Sequence, residues 1–135
     1  MPANNYPIFV LTPKIGMARI STANTNRDGT GTLGDVITGG TFGTRVVRIH
    51  IRATVTTTAG MVRLFISDGS NIRFWDEVSV TAITVSATVQ AFEATIITPD
   101  SASPLLVLPS GYVLKAGTHN GSEPFDVIAH GGDYS

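Results

Sequence analysis

The chain contains no cysteine among its 135 residues. This absence excludes a disulfide framework, a thiolate metal site and a cysteine nucleophile, and it is compatible with folding in a reducing cytosol. The length lies within the usual range of a single domain. One hydrophobic core therefore has to stabilise the fold without covalent cross-links.

Charged side chains are also scarce. Asp, Glu, Lys and Arg make up 14% of the residues, against about 25% in an average soluble domain. The formal net charge of -1 argues against a surface devoted to nucleic acid or anionic lipid. Threonine recurs throughout, and a neutral, Thr-rich surface is easily desolvated against a partner. This composition gives a first indication of assembly.

Long apolar runs are missing as well. No 18 uncharged apolar residues follow one another, and the first residues lack the basic and apolar regions of a secretory signal. We therefore expect neither a membrane span nor Sec export. Prolines at positions 2, 7 and 13 favour an extended arm over residues 1–13, ahead of a β-domain over residues 14–135. The arm is expected to contact a neighbouring subunit through Tyr6, Ile8, Phe9 and Val10.

What the sequence does contain is a period-2 alternation between Thr44 and Thr57, which predicts a long half-buried strand. Its core-facing residues are expected to be Val47, Ile49, Ile51, Ala53 and Val55. Two further strands are predicted over residues 61–67 and 72–81, with a hairpin turn at residues 68–71 between them. In the last of these, Phe74 should face the core and Trp75 the outside. The three strands together predict an antiparallel meander.

Six weaker strand candidates surround the predicted meander. They are residues 15–22, 32–38, 89–97, 105–108, 112–116 and 125–130. Gly, Pro, Asn and Asp lie in the gaps between them, and no window has a convincing 3.6-residue period. We therefore predict an all-β, single antiparallel β-sandwich of jelly-roll type, with eight or nine strands and almost no helix.

One segment matches a nucleotide-binding motif by its letters alone. Residues 29–34 read GTGTLG, the GxGxxG pattern of dinucleotide-binding proteins, but a β-prone stretch follows where that motif requires a helix. The glycines are better explained as turn residues. The turn-like quartets at residues 26–29 and 68–71 lack the regularly spaced oxygen ligands of a calcium loop.

Motifs for catalysis are equally sparse. The histidines at positions 50, 119 and 130 form no closely spaced pair for zinc. Asp126 and His130 share a face of the last predicted strand without a nucleophile motif beside them. The adjacent Asp76 and Glu77 diverge to opposite faces and cannot act as a catalytic pair. We therefore predict neither an enzyme nor a bound cofactor or metal.

Arginines and aromatics are concentrated in the predicted meander, where five of the nine basic residues lie between positions 45 and 73. If the strands pair as predicted, one outer face carries Arg48, Arg52, Arg63, Phe65, Arg73 and Trp75. Arginine and aromatic side chains are enriched in protein interfaces, which favours a subunit or partner interface. A solvated face remains open as an alternative, as does binding of single-stranded nucleic acid or an anionic glycan, the least favoured of the three.

Three runs in the sequence resemble small proteins of tailed bacteriophages and prophages. They are residues 57–66, 108–120 and 125–133, and the similarity extends over nearly the whole chain from about Pro7. Among these proteins, the chain is similar to the virion proteins that decorate or cement capsids. These proteins are often compact β-sandwiches that sit as trimers on the shell.

The resemblance implies a function rather than particular site residues. It implies a homotrimer that binds the major capsid protein, is made in the host cytoplasm and is located on the capsid surface of the virion. One alternative is a tail or head-fibre component that meets the host surface. Another is a carbohydrate-binding module that uses Trp75 and Tyr112 as stacking platforms.

Overall fold

The computed structural model describes residues 12–98 and 105–134, which form a sandwich of two antiparallel sheets. The predicted all-β class is confirmed, and these residues contain nine strands and no helix, hence no helix long and apolar enough to cross a membrane. The strands are β1 (Thr12–Ile20), β2 (Gly34–Thr38), β3 (Thr44–Ala53), β4 (Gly60–Ser67), β5 (Ile72–Val80), β6 (Glu93–Ile97), β7 (Leu106–Leu108), β8 (Val113–Thr118) and β9 (Phe125–Asp133).

Strands that follow one another in sequence mostly lie in different sheets. The first sheet has the order β1-β9-β3-β6, and β7 pairs with β3 next to β6. The second sheet has the order β2-β8-β4-β5. The chain therefore passes back and forth between two sheets, each with four strands in its main hydrogen-bonded order, which is the jelly-roll arrangement.

The predicted three-stranded meander is wrong, because β3 lies in the first sheet and β4 and β5 in the second. After Ala53 the chain crosses between the sheets instead of turning back. The buried Thr57 fixes this crossing, since its backbone N–H donates to the carbonyl of Ile83 and its hydroxyl to that of Thr81. Only the β4–β5 hairpin of the meander is formed.

The hydrophobic core lies between the two sheets. Ile49 and Ile51 of β3, Leu64 of β4 and Leu114 of β8 are fully buried there. Each such side chain stabilises the fold by about 1.5–3 kcal/mol relative to leaving it in water. Phe125 at the start of β9 packs its ring edge-to-face against Phe92.

A bulge in β3 changes which valines face the core. The pairing of β3 with β9 shifts register between Val46 and Arg48. As a result Val46 is fully buried while Val47, which the alternation placed in the core, is exposed. Val55 is exposed too, because it follows the end of the strand. One extra residue in a strand reverses the faces beyond it, and a period-2 pattern cannot anticipate that reversal.

The boundary predicted between arm and domain falls inside β1. This strand begins at Thr12, so Thr12 and Pro13 belong to the sheet. The predicted arm contacts Tyr6, Ile8, Phe9 and Val10 lie outside the described residues.

Residues 21–33 form a long connection that lies over the outer face of the second sheet. The backbone N–H of Asn24 donates to the carbonyl of Thr118 in β8, and the Cα of Gly29 lies close to Ile72 of β5. Gly29 and Gly31 have φ values of 91° and 86°, which favour glycine. Gly29 and Gly31 of the GTGTLG segment are therefore turn residues, as predicted, whereas Gly34 is the first residue of strand β2.

Candidate interaction surfaces

The six predicted interface residues do not form one patch. Arg48 and Arg52 lie on β3 of the first sheet. The other four lie on β4 and β5 of the second sheet, and they are Arg63, Phe65, Arg73 and Trp75. An interface role for each residue stays a prediction, but the expectation that they share a surface is wrong. Its physical reason is the crossing of the chain between the sheets after Ala53.

Arg63 and Phe65 are on the predicted outer face, yet only 4% and 1% of their surfaces are exposed. The 21–33 connection covers this part of the sheet. Arg63 Nε donates to Glu77 Oε2 at 3.1 Å, and Arg63 Nη1 donates to the carbonyl of Asn24 in the connection at 3.4 Å. Arg27 of the connection donates to the same carboxylate oxygen at 3.1 Å. Arg63 thus stabilises the position of the connection through these hydrogen bonds.

The carboxylate of Glu77 binds both guanidinium groups. Burial opposes its ionisation, but the hydrogen bonds and charges of Arg27 and Arg63 outweigh burial and lower the pKa of Glu77. A buried arginine needs such a partner, because an unpaired buried charge would be strongly destabilising.

A bulge in β5 exchanges the predicted faces of Phe74 and Trp75. The pairing of β4 with β5 passes from Leu64–Asp76 directly to Phe65–Phe74, so Trp75 is the extra residue. Phe74 therefore lies on the outer face, with its ring centroid 5.6 Å from that of Phe65. Trp75 packs against the hydrophobic core instead.

Trp75 and Tyr112 meet at one end of the sandwich, although they are distant in sequence. Together with Ile66, Arg73 and Phe74 they line a cleft of about 330 Å³. The β4–β5 turn adds Asp68 and Asn71 to its rim. We call this site the aromatic cleft. The sequence indicated the two aromatic side chains, but no signal in it showed that they come together.

Several exposed apolar side chains lie elsewhere, on the outer face of the first sheet, and sequence reasoning missed them. Strand pairing places Met17 opposite Ile128 and, in the next row, Arg48 opposite Ile97. Met17 is 72% exposed. We call the aliphatic part of this surface the outer aliphatic face, which consists of Ile15, Met17, Val47, Ile97, Val107 and Ile128. The alternation of residues in β1 could have indicated this surface. It was missed because the exposed side of β1 lacks the combination of arginines and aromatics that is typical of an interface.

A row of charged side chains crosses the first sheet beside the outer aliphatic face. Arg19 binds Asp126 with two hydrogen bonds of 2.7 and 3.0 Å. Arg52 donates to Glu93 at 2.8 Å. The hydrogen bond from Arg19 lowers the pKa of Asp126, so that this carboxylate is ionised at neutral pH. We call these four residues the charged row. Each arginine in it is paired with one carboxylate, Arg19 with Asp126 and Arg52 with Glu93.

Asp126 and His130 lie on the outer side of the first sheet, on strand β9. Asp126, which shares a face with His130, is held by Arg19 as described above. His130 lies opposite Arg48 on the outer side of the sheet. Within residues 12–98 and 105–134, no three His, Asp or Glu side chains are close enough to hold a metal ion.

Comparison with known proteins gives a structural similarity only. No protein-family model matches the chain, and no curated protein is similar to it in sequence. The structure is similar to that of Eiger TNF from S. frugiperda, with a TM-score of 0.51, 12% sequence identity and 96% of each chain covered. This similarity supports the jelly-roll form of the sandwich.

Proposed function

We propose that the chain is a structural protein of a tailed-phage virion, which decorates the capsid by binding the major capsid protein as a homotrimer. The observation that carries the proposal is the outer aliphatic face. Exposed apolar side chains gathered on one sheet face are typical of interaction sites, and here His130 and Arg48 lie between Ile15 and Ile97. The capsid as the partner is inferred from the resemblance of residues 57–66, 108–120 and 125–133 to phage proteins.

In this proposal the outer aliphatic face joins copies of the chain. Burying Met17 and Ile15, which are 72% and 61% exposed, removes apolar surface from water at about 25 cal/mol per Å². The charged row is suited to the rim of such an interface, because its arginines and carboxylates are already paired and leave no uncompensated charge.

Trimerisation is also what makes decoration durable. Three copies joined in one particle contact neighbouring capsid subunits at once, so that modest individual contacts add up to tight binding. The parts proposed to bind the capsid are one end of the sandwich and the N-terminal arm, which precedes β1 at the edge of the first sheet.

The proposal is tested by mixing the full chain with expanded, undecorated capsids of the encoding phage and separating bound from unbound protein by sedimentation. The wild type should co-sediment. Met17→Glu places an unpaired charge in the proposed subunit interface, and bound protein should fall by about tenfold as multivalence is lost. Phe42→Glu is the matched control, since Phe42 is equally exposed at 72% but lies in the loop between β2 and β3.

Two results would contradict the proposal. If the wild type remains in the supernatant, the capsid is not its partner, and recovery of the protein from purified tails would favour the tail or head-fibre alternative. If Met17→Glu binds capsids as well as Phe42→Glu does, the outer aliphatic face is not the subunit interface.

A further inference from the structure

The aromatic cleft has features of a small-molecule site that the proposed structural role does not use. Its volume of about 330 Å³ falls within the usual range for ligand pockets. It lies at the end of the second sheet, away from the outer aliphatic face on the first sheet. Any ligand of the cleft is therefore independent of the proposed subunit interface.

The bulge in β5 creates the cleft. Without the extra residue Trp75 would alternate to the outer face, as the sequence predicted. With it, Trp75 turns towards the core side, where Ile66 and Tyr112 also pack. Bulges often re-aim a side chain beside a functional site. The local irregularity thus brings the indole of Trp75 into the lining of the cleft that Tyr112 also lines.

Both side chains pack against the hydrophobic core. Tyr112 is fixed by its backbone, because its N–H donates to the carbonyl of Pro109 and its carbonyl accepts from Gly39. Trp75 and Tyr112 are each half-buried, so part of each side chain remains accessible. Preorganised aromatic surfaces of this kind bind ligands with little loss of conformational entropy.

The rim supplies both hydrogen-bond donors and acceptors. The carboxylate of Asp68 accepts the backbone N–H groups of Ser70 and Asn71 at 2.9 and 2.7 Å, which fixes the turn. These bonds lower the pKa of Asp68, so that it is an anion at neutral pH. Asn71 and Arg73 are exposed beside it and offer amide and guanidinium donors.

We infer that the aromatic cleft binds a neutral pyranose sugar. The ring C–H groups of a pyranose pack on the electron-rich faces of Trp and Tyr, and its hydroxyls can both donate to Asp68 and accept from Asn71 and Arg73. A carboxylate and a guanidinium on one rim balance each other's charge. The balance favours an uncharged sugar over an acidic one.

The chain offers a direct readout, because Trp75 is its only tryptophan. Methyl glucopyranoside, methyl galactopyranoside, methyl mannopyranoside and N-acetylglucosamine are each titrated into the full chain while its tryptophan emission is followed. At least one should give a saturable change, with a dissociation constant of about 1–10 mM for a ligand of this size. Sorbitol, an open-chain polyol without a ring face, should give none.

Exposed rim residues serve as variants that keep the fold. Asn71→Ala and Arg73→Ala should each raise the dissociation constant by about threefold to tenfold, through loss of a hydrogen bond to a hydroxyl. Phe42→Ala, a change at an exposed aromatic residue outside the cleft, should leave it unchanged. Thermal unfolding of each variant checks that the fold is retained.

The inference is overturned if none of the four sugars changes the emission. It is equally overturned if sorbitol gives the same change as the sugars, or if the response is unaltered in both rim variants. Failure here leaves the capsid proposal intact, since that proposal depends on the first sheet and is read out by sedimentation.

Discussion

At the scale of single residues, Asp133 at the end of β9 shows how one carboxylate links several elements. It accepts a hydrogen bond from the hydroxyl of the fully buried Thr44 in β3, and Lys14 of β1 lies 3.2 Å from it. Thr44 in turn accepts the N–H of Gly40, which follows β2. Asp133 thereby ties the first sheet to the start of the β2–β3 loop.

These contacts give Asp133 a defined effect on the pH dependence of stability. The hydrogen bond from Thr44 lowers its pKa most, burial opposes this, and Lys14 lowers the pKa further. Since the folded pKa lies below the ordinary value of 3.8, the stabilisation is complete above that value. It is lost as pH falls through the lower, folded pKa.

Asp133→Ala should therefore lower the free energy of unfolding by about 1–2 kcal/mol at pH 7, and by less near pH 2, because the wild type loses this contribution as the pH falls through the lowered pKa of Asp133. Urea unfolding at both pH values measures the difference. Asp35→Ala, which removes an exposed ion pair with Lys115, should cost under about 1 kcal/mol. An equal loss for Asp133→Ala at both pH values would contradict this account.

At the scale of elements, the 21–33 connection decides what the second sheet exposes. Asn24 organises it, because its buried side-chain amide donates to the carbonyls of Thr30 and Thr32 at 2.9 and 3.0 Å. The side-chain oxygen of Asn24, Oδ1, accepts a hydrogen bond from the backbone N–H of Asn26. Without this amide, the backbone carbonyls of Thr30 and Thr32 would lose a hydrogen-bond donor.

Asn24→Ala should accordingly destabilise the protein by about 1–3 kcal/mol. The variant should also exchange the amide hydrogens of β4 faster, because the cover over Arg63 and Phe65 loosens. Asn26→Ala is the control, since Asn26 is exposed and its side-chain amide donates to the hydroxyl of Thr30. Equal stability of the two variants would show that Asn24 does not hold the connection.

The sequence allowed the strands to be predicted better than the surfaces. The alternation around Ile49 and Ile51, and in β4 around Leu64, identified core positions correctly, because period 2 reports burial directly. The faces of Val47 and Trp75 were predicted wrongly, because a bulge leaves no mark in the local pattern. The burial of Arg63 depends on a connection some 40 positions earlier in the chain, which periodicity cannot detect.

At the scale of the whole molecule, the exposed aliphatic side chains of the first sheet favour self-association, and the resemblance to decoration proteins implies a trimer. The wild type should have a solution mass of three times the 14.2 kDa chain, measured by light scattering across a dilution series. Met17→Glu should shift the mass towards that of a single chain, whereas Phe42→Glu should not. A wild type that is monomeric at high micromolar concentration would contradict the trimer.

The position of β9 has a consequence for how the chain reaches this fold. The last strand lies between β1 and β3, so its register joins Thr12 to Asp133 and Thr44 to Asp133. During synthesis the first sheet therefore cannot close until the C-terminal strand has left the ribosome. Until then β1 and β3 have unpaired edges. Closure of the first sheet is thus a late step dominated by contacts between distant parts of the chain, and such topologies fold slowly.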